Sequence, residues 1–172
     1  MLIKTNRLLL KEITENDFSS LFDLLTSEDV KKTYLVPDFK SEDDFVKMFR
    51  HLQNLSQIPD SHTAGIFLNE ILIGLFHKVE IHGDRVEVGY AIHPKYKNQG
   101  YATEALRAGI AYFFENGFRE VYAGAFKTNS ASIRVMEKAG MKKTKMKASV
   151  NYRGEEHPCV YYSIKSKISA EK

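Results

Sequence analysis

The run Val86–Gly117, VEVGYAIHPKYKNQGYATEALRAGIAYFFENG, constrains this chain more than any other stretch. Val86, Val88, Tyr90 and Ile92 alternate with Glu87, Gly89, Ala91 and His93, which is the period of a strand. His93-Pro94 ends that strand, because proline lacks the N–H a ladder needs and disfavours a helical residue before it. Lys95–Tyr101 then reads as a loop in which Gly100 can take a backbone shape closed to other residues. From Ala102 the apolar positions Ala105, Leu106, Ile110, Phe113 and Phe114 recur at helical spacing, and Asn116-Gly117 is a C-terminal stop. A strand, a tight loop and a long helix in that order predict a strand–helix–strand unit at the centre of a mixed α/β fold.

A loop that opens a helix directs free N–H groups at one spot, and the helix dipole adds positive potential there. Phosphates bind such sites, and Lys95 and Lys97 add charge. The three spaced glycines of a dinucleotide fingerprint are absent, and so is the glycine followed by Lys and Ser/Thr of a P-loop. The charge distribution agrees with an anionic ligand in the second half. Residues 1–86 hold 10 Lys/Arg against 14 Asp/Glu, a net of −4, whereas residues 87–172 hold 15 against 8, a net of +7. A solvated surface with chance asymmetry explains the charge alone equally well.

At 172 residues the chain suits one domain, expected over 1–166 with a polar tail at 167–172. A composition of 43% hydrophobic and 27% charged residues is that of a soluble globular protein. No run approaches the ~18 apolar residues of a membrane span, and MLIKTNRLLLKEI lacks a secretory core. Cys159 is the only cysteine, so no intrachain disulfide forms. A cytoplasmic location follows by default, with no membrane partner. The net charge of +3 is too small to argue for nucleic acid. His77, His82, His93 and His157 show no metal-ligand spacing, so no metal is expected.

Thr5–Ile13 reads as a first strand, and Phe18, Leu21, Phe22, Leu24 and Leu25 as an amphipathic helix. Val30–Phe39 is irregular. Ser41 caps a second helix whose stripe is Phe45, Met48, Phe49, Leu52 and Leu55. Ala64–Leu68, Ile71–Ile81 and the organising strand follow through short turns. After the long helix come a strand at Glu120–Phe126, a helix at Asn129–Ala139, and a hairpin of Lys142–Tyr152 with Pro158–Ile164. The tail from Lys165 is expected to fray.

Three segments, taken together, resemble the GNAT superfamily of acyl-CoA-dependent N-acyltransferases. TNRLLLKEITENDF resembles its opening strand and helix, VEVGYAIHPKYKNQGYATEAL its central strand and cofactor loop, and TNSASIRVMEKAGM its late helix. Within that superfamily the chain is similar to the branch of ribosomal-protein N-terminal acetyltransferases and their spermidine-acetylating relatives. The resemblance implies a mixed, mostly antiparallel sheet of six to seven strands flanked by about four helices. It implies acetyl-CoA as donor, a primary amine as acceptor (a peptide N-terminus or a small polycation), and a monomer or homodimer.

The family's cofactor loop falls on Lys97, Asn98, Gln99, Gly100, Tyr101 and Ala102, with Lys97 replacing the usual Arg or Gln. The resemblance implies that backbone N–H groups from about Asn98 to Thr103 hold the CoA pyrophosphate. Ala91, Ile92 and His93 would run beside the pantetheine arm, and an N–H near Ile92 would polarise the thioester carbonyl. Asn129 is expected to contact the pantetheine or the transferred group, and Ser132 to bind the cofactor or protonate the leaving thiolate. Asn129 also reads as a simple helix N-cap, which can coexist with that role. Val135 and Met136 stand where many members carry a tyrosine acid.

An amine attacks a thioester only when neutral, so a base must take its proton. Glu87 is the candidate: it sits on the central strand opposite the apolar set, where the resemblance implies a carboxylate, and a partly buried Glu would have a raised pKa that suits the task; a solvent-facing Glu on the strand is the competing reading. Cys159 is a bystander, since direct transfer needs no covalent relay. The acids Glu42, Asp43 and Asp44 would attract a cationic acceptor. A non-catalytic acyl-CoA-binding sensor and a structural interaction domain are the alternatives to an enzyme.

Overall fold

The computed structural model describes residues 1–167. Eight strands form one sheet in the order β1-β2-β3-β4-β5-β6-β8-β7. They are β1 (Ile3–Lys4), β2 (Leu8–Lys11), β3 (Thr63–Leu68), β4 (Ile71–His82), β5 (Arg85–Ile92), β6 (Glu120–Phe126), β7 (Lys142–Tyr152) and β8 (Glu155–Lys165). The helices are α1 (Phe18–Thr26), α2 (Glu28–Lys31), α3 (Glu42–Gln57), α4 (Tyr101–Glu115) and α5 (Ser130–Lys138). Every neighbouring pair is antiparallel except β5 with β6, which the α4 crossover forces to be parallel.

Two elements exceed the expected count. The first strand breaks into a hairpin because Thr5 turns the chain: its N–H donates to the Leu8 carbonyl at 2.9 Å, and its hydroxyl accepts from the Leu8 N–H at 2.8 Å. The stretch expected to be irregular opens with the single turn α2, started by Ser27, whose carbonyl accepts from Val30 and Lys31. At the other end, β8 includes Lys165, and the Ser166 N–H donates to the Arg119 carbonyl, so the expected fraying does not begin there. The rest of the expected tail, 168–172, lies outside the described residues.

The sheet carries a core on each face. Leu8, Leu10, Ile66, Val86, Val88 and Phe76 pack against Leu106, Ile110 and Phe113 of α4 and Met136 of α5. On the other face Phe67, Leu72, Leu75 and Ala91 meet Leu21, Leu24, Leu25, Phe45 and Phe49 of α1 and α3. Alternation along β5 therefore sends Val86, Val88 and Ile92 one way and Ala91 the other, as the period of two requires. Ser41 caps α3 by accepting from the Asp44 N–H at 3.2 Å, as its sequence position predicts.

Candidate active site

The site begins where β5 and β6 part. Their parallel pairing covers Arg85, Val86 and Glu87 against Glu120, Val121 and Tyr122, yet both strands run on, to Ile92 and Phe126. Beyond Glu87 the two strand edges face each other without a shared ladder, and a cleft opens between them. The His93 N–H donates to the Ile73 carbonyl of β4 at 2.8 Å. Successive N–H groups of a strand point to opposite edges, so the Ile92 N–H points into the opening.

The loop after β5 shapes one mouth of this cleft. Pro94–Tyr96 form a 3₁₀ turn, and Asn98 (φ 61°) and Gly100 (φ 83°) both take the left-handed conformation. Gly100 is the N-cap of α4 and has no capping side chain, so the first N–H groups of α4 remain available to a ligand. Arg7 holds the loop from behind. Its guanidinium donates to the Gln99 carbonyl at 2.9 Å and to Glu104 at 2.7 Å, and lies 4.5 Å from the centre of the Tyr101 ring. Burial pushes the Glu104 carboxyl up, but hydrogen bonds from Thr5 and Arg7 outweigh it and leave the group below 4.5.

One cleft of about 1170 Å³ passes through the sheet at this opening. Of the residues the sequence nominates, Glu87, Ala91, Ile92, Lys97, Asn98, Gly100, Tyr101, Ala102, Thr103, Asn129 and Ser132 line it. His93 and Gln99 do not. The His93 ring accepts from the Lys95 N–H, and the Gln99 side chain turns back to the Lys95 carbonyl. Lys97 and, from α5, Arg134 and Lys138 also line it, which adds cationic side chains to the cleft. Free helix N–H groups, an open strand edge and cations fit a long thioester bearing phosphates.

Glu87 stands at the fork, half-buried, with no hydrogen bond or ion pair to its carboxylate among the described residues. Burial, with the nearby Glu80 charge, raises its pKa above 4.5, while His82 opposes the shift. Asn129 does cap α5: its side-chain oxygen accepts from the Ser132 N–H at 3.0 Å, while the residue also lines the cleft. Tyr90 was legible only as one of the apolar positions of β5. Its hydroxyl lies 2.9 Å from the Ser132 hydroxyl, and burial pushes its pKa up to about 12, so it stays protonated. A tyrosine among the apolar positions of a strand signals in the sequence a partner for its hydroxyl.

Cys159 also lines the cleft, and burial followed by the Glu87 charge raises its thiol pKa, so it is a poor nucleophile. On the far side of the sheet Tyr34 and His77 face the cleft, with the Tyr34 hydroxyl 2.7 Å from His77 Nε2. His77 Nδ1 lies 3.1 Å from the Lys78 carbonyl, which can only accept. Nδ1 therefore carries the ring proton, and Nε2 accepts from Tyr34. Burial lowers the His77 pKa and keeps the ring neutral.

A sheet that splits at one parallel pair, with a helix N-terminus beside the split, defines an acyl-CoA transferase architecture. The chain belongs to the Acetyltransferase (GNAT) domain family, which matches residues 7–142. It is an acetyl-CoA-dependent N-acetyltransferase. Its sequence is 28% identical over 169 residues to the uncharacterized N-acetyltransferase YoaA of Bacillus subtilis, covering 95% of this chain and 96% of that one. A GNAT-family acetyltransferase from Bacillus anthracis superposes with a TM-score of 0.82 at 27% identity, over 96% of this chain and 98% of that one. The acetyl transferase of Salmonella typhimurium that modifies the N-terminal serine of a ribosomal protein shares the fold, with a TM-score of 0.78 at 16% identity, over 97% of this chain and 100% of that one. Among the described residues no helix is long and apolar enough to cross a membrane.

Proposed function

We propose that this chain acetylates a primary amine by direct transfer, with Glu87 as the base and the Tyr90–Ser132 pair as the acid. The observation that carries the reading is the position of Glu87. It is a half-buried carboxylate with a raised pKa at the fork of β5 and β6, in the same cleft as the two hydroxyls. Acetyl-CoA, when bound, supplies the acetyl group as a thioester. Glu87 takes a proton from the incoming ammonium, directly or through one water, and its raised pKa brings it closer to the working pH. The Ile92 N–H stabilises charge developing on the carbonyl oxygen. Ser132 donates a proton toward the departing sulfur, and Tyr90 holds the serine hydroxyl in place. The N–H groups that open α4, with Lys97, Arg134 and Lys138, hold the phosphates. Lysine does this as a point charge, without the planar fork of arginine.

The reading treats 1–166 as a single domain, supported by one sheet that joins β1 to β8. It places the protein in the cytoplasm, where acetyl-CoA is available, as a monomer or homodimer. Membership of the ribosomal-protein N-terminal branch is part of the proposal. Its support is the fold shared with the Salmonella enzyme and the Asn129-x-x-Ser132 spacing. Incubation with acetyl-CoA and a panel of amines, with free CoA followed by chromatography, tests the reaction. Amine-dependent CoA release supports it. Glu87→Gln is expected to abolish transfer and to spare CoA binding; a Glu87→Gln enzyme with full activity rules out the base assignment.

A further inference from the structure

The acids expected to attract a cationic acceptor do not reach the site. Glu42, Asp43 and Asp44 lie outside the cleft lining, and Asp44 is occupied in accepting from the Lys40 N–H. The carboxylates that do line the cleft are Asp29 and Glu87. Asp29 is held by Lys32 at 2.9 Å. Lys78, also in the lining, adds a positive charge and donates to the Asp60 carbonyl. A polyamine entering here would find one unpaired carboxylate and, beside Lys32 and Lys78, the Lys97 charge that acts on Asp29.

The walls on the acceptor side are apolar instead. Leu35, Val36, Met48, Leu52, Leu55 and Val79 line the cleft opposite the helix that carries the phosphate loop. Leu35 is 55% exposed and Val79 is 52% exposed, so apolar side chains of this lining are open to water. The Leu35–Val36 wall is fixed rather than loose. The Tyr152 hydroxyl donates to the Val36 carbonyl at 3.0 Å, and Arg153 bridges Glu28 and Asp38 on either side. Lys31, buried beneath, pairs with Asp38 at 3.0 Å. The hairpin of β7 and β8 thus pins the wall over the cleft. At the base of the chamber the Tyr34 hydroxyl is already committed to His77.

Resting on the transferase reading above, we infer that the acceptor is a primary amine with a single positive charge carried on an apolar or aromatic body. Glu87 receives the ammonium, and the Leu35–Leu52–Val79 wall receives the body. A free arylalkylamine and a peptide beginning with a large apolar residue share this chemistry.

The test uses the full chain with four acceptors: 2-phenylethylamine, a peptide beginning with Phe, a peptide beginning with Ser, and spermidine. Initial rates with acetyl-CoA are paired with calorimetric titration of each amine into the CoA-saturated protein. The two apolar amines are expected to exceed spermidine and the Ser peptide by tenfold or more in kcat/KM and in affinity. The better of the two identifies the source. Leu35→Asp, at an exposed site, is expected to raise KM for the apolar amines at least fivefold with CoA affinity unchanged. Spermidine or the Ser peptide ranking first overturns the inference, as does a Leu35→Asp enzyme whose KM for the apolar amines is unchanged. Apolar amines that bind in the expected order without being acetylated uphold the acceptor class and sink the transferase reading. Turnover that favours spermidine does the reverse.

Discussion

The hydroxyls of Tyr90 and Ser132 lie 2.9 Å apart although 42 residues separate them in the chain. One comes from β5, beside the opening in the split sheet, the other from the first turn of α5. Asn129 fixes the serine backbone, and Tyr90 fixes its hydroxyl. Ser132→Ala removes the proposed proton donor and is expected to lower kcat by ~10²-fold. Tyr90→Phe leaves the donor but frees its rotor, so a loss of ~10-fold is expected. Because the two act as one unit, the double variant should be little worse than Ser132→Ala alone. Steady-state kinetics of the three variants, with CoA affinity measured alongside, checks this; additive losses would mean two independent roles.

Glu87 gives the reaction an acid limb. Its pKa lies above 4.5 in the folded protein, chiefly through burial. The kcat/KM profile should therefore fall on the acid side with a midpoint above 4.5, and that limb should vanish in Glu87→Gln along with ~10²- to 10⁴-fold of activity. The stability sign runs opposite. A carboxyl whose folded pKa is raised favours the native state while protonated and disfavours it once ionised. Glu87→Gln should accordingly melt at the same temperature as the parent or higher at pH 7. A clear drop in Tm would instead make Glu87 a structural group.

What could be read from the chain was what local pattern controls. The period of β5, the left-handed backbone of Gly100 and the Asn129 cap each depend on residues within a few positions, and each forms as the sequence predicts. Long-range partners could not be read. Nothing near Arg7 says that its guanidinium crosses to Gln99 and Glu104, 92 and 97 residues away. Nor does the run after Ser41 say that its acids miss the cleft, because a helix pattern gives the stripe that packs and not the direction of the opposite face. Cys159, set aside as a bystander, proves to line the cleft, since only the pairing of β8 with β6 brings it there.

Arg7 offers a test of the phosphate loop that touches no proposed ligand contact. It ties the turn between β1 and β2 to Gln99 and Glu104, so the loop keeps its shape before ligand arrives. Arg7→Ala frees that loop and leaves Glu104 with only the Thr5 hydroxyl and the backbone N–H of residue 7. CoA affinity should fall ~10-fold, equivalent to about 1.4 kcal/mol. Acceptor KM at saturating acetyl-CoA should not change. Arg7→Lys should recover little, because a point charge cannot reach both partners as the guanidinium does.

Gly109 reverses the usual rule for helices. Glycine to alanine inside a helix generally stabilises by up to ~1 kcal/mol. Here a Cβ on Gly109 would come within 2.2 Å of the Phe76 ring, which is fully buried between α4 and the sheet. The ring cannot retreat without disturbing Phe113, 6.4 Å away between centroids. Gly109→Ala is expected to cost about 1–3 kcal/mol in denaturant unfolding. A gain in stability would show that Phe76 has room to move.

Two buried histidines contribute a loss of stability on the acid side. His77 is lowered by burial, against a smaller opposing effect of the Lys78 carbonyl, and His62 is lowered by burial and by the Lys78 charge. Each takes up a proton more readily when unfolded, where its pKa returns toward 6.5. Above 6.5 both states are neutral at these rings, and nothing is gained or lost. As the pH falls below 6.5 the unfolded chain binds protons first, so stability must fall. Tm should therefore be flat from pH 7 to 8 and decline from pH 6.5 toward 5. His77→Gln removes one of these protons and is expected to flatten the decline, even if its Tm at pH 7 is lower through loss of the Tyr34 bond. The slope of Tm against pH, not the Tm itself, is the readout. An unchanged slope in His77→Gln would mean that His77 protonates alike in both states.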